Sequence, residues 1–77
     1  MSKENRIGSE RTRLRMTQGA LAESLGVNRD NVTRWENGRV KPSIEIVAAM
    51  ALIFDCSTDY LLGLTDDRRA LAERTPR

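Results

Sequence analysis

A chain of 77 residues makes one domain, and at that length folding hides only about 60% of the surface the unfolded form exposes, so the core must be efficient or shared with a partner. Apolar residues make up 39% and charged residues 31%, the balance of a soluble globular domain, and a single cysteine, Cys56, with no histidine excludes an internal disulfide and leaves too few ligands for zinc. The net charge of +2 is divided unevenly: residues 1–42 carry nine Lys/Arg against five Asp/Glu, and residues 43–77 carry four against six.

Residues 1–5 are polar and expected to fray. A first helix is expected over about Arg6 to Leu14, with Ile7, Arg11 and Leu14 as its inward stripe at i, i+4 and i+7. Gly8 weakens this helix by up to about 1 kcal/mol relative to alanine, so it must lean on packing. An arginine on an inward stripe needs an explanation.

Thr17 is a suitable N-cap for a second helix, Gln18 to Leu25, and Gly26 can take the left-handed stop after it. Asn28 is expected to cap a third helix, Arg29 to about Asn37, which Gly38 ends. Gly38 to Pro42 reads as a short basic loop with Arg39 and Lys41. Ser43 should cap a fourth helix, Ile44 to about Phe54, that is apolar almost all round and therefore covered on more than one side. Ser57 should cap a short fifth helix, Thr58 to Leu62, closed by Gly63. Thr65 heads a further helical stretch, Asp66 to Arg74, whose one large apolar residue is Leu71. The expected organisation is a domain over residues 1–64 and a C-terminal tail over 65–77.

Residues 18–37, QGALAESLGVNRDNVTRWEN, carry the functional signal. Ala22 is small where a second helix must come close, Gly26 makes the turn, and Leu21, Leu25, Val27, Val32 and Trp35 supply the apolar side. That order is the spacing of a helix-turn-helix, whose second helix enters the DNA major groove. The basic half of the chain contains it, as a phosphate-binding surface requires. At about 100° per residue, Val32 and Trp35 inward put Asp30, Thr33, Arg34 and Asn37 outward, with Arg29 flanking.

Candidate base readers are therefore Asn28, Arg29, Asp30, Thr33 and Arg34. A guanidinium fork matches guanine O6 and N7, and Asp30 can accept from cytosine N4 or orient an arginine. Candidate phosphate contacts are Thr17 and Gln18 at the amide end of the second helix, together with Asn31, Asn37, Arg39 and Lys41. Glu36 lies at the edge of the third helix nearest the core. Two readings of Arg11 remain open on the wheel alone: an ion pair with Glu36, or a side chain that snorkels to solvent.

ERTR at 10–13, TQGALAESLGV at 17–27, RWENG at 34–38, KPS at 41–43 and STDYLLGL at 57–64 together resemble the phage repressor/Cro family of helix-turn-helix transcriptional regulators. The resemblance covers about Ile7 to Leu64. It implies an all-α, compact five-helix repressor-like DNA-binding domain, with the helix-turn-helix at helices 2–3, that binds operator DNA as a dimer. It implies that Gln18 and Asn37 contact phosphate, that Asn28, Arg29, Asp30 and Arg34 face bases, and that Arg11 and Glu36 form a buried ion pair. This chain departs from the pattern at Asp30, usually neutral, at Asp55, usually glycine, and at Ala49 and Leu52, often lysine.

The expected function is sequence-specific binding of double-stranded DNA as a transcriptional regulator, a repressor acting as a homodimer on a palindromic operator. The alternative is an antitoxin that also binds a toxin protein, which would use the spare apolar surface of the fourth helix. A protein-only adaptor is disfavoured by the presence of Gln18, Arg29, Arg34 and Asn37 together. An enzyme is not expected: there is no histidine, no phosphate loop and no acidic cluster beyond Asp66–Asp67. No cofactor or metal is expected, no run of about eighteen apolar residues would span a membrane, and the expected compartment is the cytoplasm. The expected dimer surface is Ile46, Ala49, Leu52, Ile53, Leu61 and Leu64, with Leu71 of the tail as a rival plug.

Overall fold

Hydroxyl side chains start three of the helices. In the computed structural model, which describes residues 5–69, the elements are α1 (Ile7–Arg13), α2 (Gln18–Leu25), α3 (Arg29–Glu36), α4 (Ile44–Phe54) and α5 (Thr58–Leu61). Thr17 Oγ1 accepts from the amide of Ala20 at 2.9 Å, Ser43 Oγ from Ile46 at 3.2 Å and Ser57 Oγ from Tyr60 at 3.0 Å. Each hydroxyl satisfies a first-turn amide that the helix itself leaves without a partner. Asn28 stands at the N-cap of α3 with extended backbone, but its side chain makes no capping bond. Its carbonyl alone accepts from Asn31, at 3.0 Å, which leaves the carboxamide exposed at the helix start.

Left-handed residues end α2 and α4. Gly26, at φ 73°, lets Val27 donate back to Ala22 and turns the chain into α3. Asp55 does the same for α4 at φ 57°, with Cys56 donating to Ala51. Glycine adopts this conformation without steric cost, and aspartate is one of the few other residues that visit it.

Every helix sends a side chain to one core. Ile7 from α1, Leu21 from α2, Val32 from α3, Met50 and Phe54 from α4 and Leu61 from α5 are fully buried, with Ala22, Trp35 and Val47 beside them. Each large side chain so placed contributes roughly 1.5–3 kcal/mol over its exposed state. The shared core is what fixes α3 rigidly against α2.

The structure departs from expectation in three places on the helix surfaces. Leu14 lies past the end of α1, where Arg15 turns the chain at φ 61°, and is 39% exposed. Glu10 takes the inward place instead, at 4% exposure. On α4 the inward stripe is Val47, Met50, Ala51 and Phe54, while Ile44, three residues before Val47 at the same helical spacing, is 84% exposed because the first turn overhangs a groove rather than the core. Residues 66–69, expected to begin a further helix, form turns. There Thr65 Oγ1 accepts from Asp67 and Asp67 from Arg69. The rest of that expected helix, Leu71 included, lies outside the described residues.

Arginines strap those turns to the helices. Arg6 donates to the carbonyls of Tyr60 and Thr65 at 2.7 and 2.9 Å and pairs with Asp66 at 2.6 Å. Arg68 reaches the other way, to Glu10 at 2.8 Å and to the carbonyls of Phe54 and Asp55 at 2.9 and 3.1 Å. Both guanidiniums lie against the Tyr60 ring, 4.2 and 5.3 Å from its centre, within cation–π range. Glu10 also accepts from Arg13 at 3.1 Å. Burial alone would raise its pKa, but the hydrogen bonds from Arg68 and Arg13 outweigh that and hold it below the ordinary glutamate value.

Candidate nucleic-acid interface

Val32 and Trp35 anchor α3 in the core, and the pitch of the helix then fixes what its other side displays. Arg29, Asp30, Arg34 and Asn37 are exposed there, with Asn28 exposed at the start. Asn31 and Thr33 are half-buried. Asp30, Thr33, Arg34, Asn37 and Arg39 line one shallow open depression of about 290 Å³. Arg34 Nη1 donates to Asn31 Oδ1 at 3.2 Å, so Asn31, one turn away on the same helix, steadies the guanidinium.

At one edge of this side lies a chain of polar contacts. Arg11 Nε donates to Glu36 Oε2 at 2.6 Å, with a longer 3.4 Å contact from Nη2 to Oε1. The two side chains are 18% and 12% exposed, and Arg11 Nη1 also donates to the carbonyl of Met16 at 2.7 Å. Arg11 is therefore paired and held, not extended into solvent. Gln18 Nε2 donates to Glu36 Oε1 at 3.0 Å, and Thr33 Oγ1 donates to Gln18 Oε1 at 3.0 Å. The chain runs from α1 through α3 and α2 back to the outward side of α3. Gly8 belongs to it by what it lacks: a Cβ there would lie 3.3 Å from Glu36 Oε1.

Thr17 and Gln18 stand at the start of α2, and Asn37, Arg39 and Lys41 follow α3 into the loop. The cations of that loop are exposed, and Arg39 lines the depression together with Asn37.

The apolar surface expected from the sequence is exposed only in part. Leu61 is fully buried and cannot meet a partner, because it is the one apolar anchor of the short α5. Ile46 and Ile53 are partly covered by the core, and Ala49 is half-buried. Leu52 and Leu64 are exposed, at 84% and 72%. Leu64 joins Val40, Pro42, Ile44, Val47 and Leu62 around an open groove of about 1070 Å³, which does not include Leu52.

A family model described as helix-turn-helix matches residues 7–61, all five helices. The chain belongs to the helix-turn-helix family. Its type is that of the phage repressors and Cro. The chain is 35% identical over 60 residues to the uncharacterized HTH-type transcriptional regulator YobD of Bacillus subtilis, covering 78% of this chain and 54% of that protein. It is 35% identical over 57 residues to Repressor protein C2 of Salmonella phage P22, covering 74% of this chain and 26% of the repressor. With the HTH-type transcriptional regulator DicA of Escherichia coli it shares 30% identity over 64 residues, 83% of this chain and 47% of DicA. The chain thus spans about half or less of the length of these relatives. Among solved structures it is similar to the P22 c2 repressor in complex with synthetic operator 9T in the presence of Tl+, with a TM-score of 0.73 and 33% identity over 78% of this chain and 91% of that one.

Sequence reasoning missed several members of this helix-turn-helix framework. Glu10 lies three residues after Ile7, so the wheel that placed Ile7 inward also carried it. Arg6 and Arg68 gave no such signal, because their partners lie across the fold. The Gln18–Thr33 contact was equally hidden, since each residue read separately as a free donor toward DNA.

Proposed function

We propose that this chain is a sequence-specific double-stranded DNA-binding transcriptional regulator, a repressor that acts as a homodimer on a palindromic operator. The observation that carries the proposal is the exposed edge of α3, with Asn28, Arg29, Asp30 and Arg34 displayed on a helix that Val32 and Trp35 hold in the core. The likeness to a repressor solved in complex with an operator supports it. Arg29 and Arg34 present guanidinium forks to guanine, Asp30 accepts from a cytosine amino group, and Asn28 offers its uncapped carboxamide. Thr17, Gln18, Asn31, Asn37, Arg39 and Lys41 hold the phosphates on either side. Such a regulator works on the cytoplasmic DNA of a bacterium or its phage, with no catalytic step.

The dimer surface in this reading is the groove bounded by Val40, Ile44, Leu62 and Leu64, beside the loop that carries Lys41. A two-fold operator needs a self-complementary patch on each protomer, and this groove is continuous with the DNA-facing side through Asn37 and Lys41. The antitoxin alternative has no observation of its own beyond the same apolar surface.

Selection of bound duplexes from a random pool tests the proposal. It expects an enriched motif with two-fold symmetry and half-sites about one helical turn apart. A pool that stays unenriched through repeated rounds overturns it.

A further inference from the structure

The polar chain Arg11–Glu36–Gln18–Thr33 has a direction, and the direction decides what Thr33 can offer. Glu36, as a carboxylate, only accepts hydrogen bonds. It holds Arg11 at 2.6 Å and Gln18 Nε2 at 3.0 Å. The Gln18 carboxamide cannot turn over, since that would set its carbonyl against the carboxylate. Its Oε1 therefore faces Thr33 and must receive a proton, which Thr33 Oγ1 donates at 3.0 Å. The second neighbour of that hydroxyl is the carbonyl of Arg29 at 3.3 Å, again an acceptor. A threonine hydroxyl has one proton and two lone pairs. In either contact the proton points into the protein, and the lone pairs remain for the open depression that Thr33 lines with Asp30, Arg34 and Asn37.

We infer that Thr33 is an acceptor-only reader of a base amino group, with Gln18 and Glu36 as the positioning residues that set its polarity. The inference rests on the DNA-binding reading above and adds to it the chemistry of one contact. A phosphate offers only acceptors, so Thr33 cannot serve one while its proton is held by Gln18. In the major groove the amino groups are N6 of adenine and N4 of cytosine, while guanine and thymine present acceptors. Thr33 thus favours adenine or cytosine over guanine or thymine at the base it meets. A hydroxyl free to rotate would accept any of the four.

The test is selection from a random duplex pool by the full chain and by three variants, with Trp35 fluorescence melts confirming that each is folded. The unaltered chain should enrich adenine or cytosine at one position of each half-site. Thr33→Val keeps the shape and removes the lone pairs, so the preference there should fall by about three- to tenfold, the worth of one hydrogen bond. Thr33→Ser should retain it. Gln18→Leu removes the nearer acceptor at 3.0 Å and leaves the proton only the 3.3 Å contact to the Arg29 carbonyl, so it should broaden that same position in part, whereas loss of a phosphate contact would lower affinity evenly and leave every preference unchanged. Guanine or thymine at the position altered by Thr33→Val would overturn the inference, as would a motif unchanged by Thr33→Val, or one altered by Thr33→Val yet unchanged by Gln18→Leu. A pool never enriched by the unaltered chain would instead overturn the DNA-binding reading, and the inference with it.

Discussion

Removing the Glu36 carboxylate is the most searching perturbation of the core. Glu36→Ala takes away the partner of Arg11 at 2.6 Å and the acceptor of Gln18 at 3.0 Å, and leaves Arg11 with the Met16 carbonyl. Stranding one member of a buried pair costs about 3–5 kcal/mol. Solvent still reaches 18% of the arginine side chain and 12% of the glutamate, so the lower end, about 3 kcal/mol, is expected. A chain of this length has a total stability of roughly 4–12 kcal/mol, so the variant should fold but melt early. At about 4–8 °C per kcal/mol for a domain of this size, the midpoint should drop by roughly 12–24 °C. Trp35, the one tryptophan, is 7% exposed and reports unfolding directly by fluorescence, with far-UV circular dichroism as the second probe. Joint replacement of Arg11 and Glu36 by apolar residues should recover more than half of the loss. A Glu36→Ala midpoint within about 3 °C of the parent would show that the pair contributes no more than a surface contact, and the reasoning would fail.

Gly8→Ala should lower stability in spite of the helix propensity of alanine, because the new methyl meets the pinned Glu36 carboxylate at 3.3 Å; in a Glu36→Ala background the same change should stabilise. Glu10 has a folded pKa below its ordinary value of 4.5, so its contribution is complete above that pH and is lost as the pH falls through the lower folded value. Urea titrations should therefore show stability declining below about pH 4.5, with Glu10→Gln starting lower and responding less. Asp55→Gly should raise stability slightly, by under about 1 kcal/mol in a thermal melt, since glycine holds the left-handed φ of 57° without strain and the Arg69 pair lost is exposed. Ile44→Asp with Leu64→Asp should shift sedimentation from dimer to monomer and weaken operator binding, and no shift would remove the groove as the contact.

The helix boundaries were legible because capping and stopping are local. Thr17, Ser43 and Ser57 each bond an amide three residues on, and α2 and α4 begin and end on the expected residues. The outward side of α3 was legible for the same reason, since one buried pair sets its rotation. Contacts between distant residues were not. Nothing near Leu14 announces that Arg15 will turn the chain and leave Glu10 as the inward residue. Ile44 continues an inward spacing, but spacing does not say where a core ends. Arg6 and Asp66 lie sixty positions apart, beyond any helical pattern. Gln18 and Thr33 were each legible as polar side chains beside DNA, while their bond to one another depends on how α2 crosses α3.

If the edge of α3 reads sequence, the chain must separate the enriched duplex from a scrambled duplex of equal length at one fixed salt concentration. The enriched site should bind at least about a thousandfold more tightly. Arg34→Ala should cost about 1–3 kcal/mol on that site alone, with little change on the scrambled one. Equal affinity for the two duplexes, or an Arg34→Ala loss shared evenly between them, would contradict sequence reading by α3.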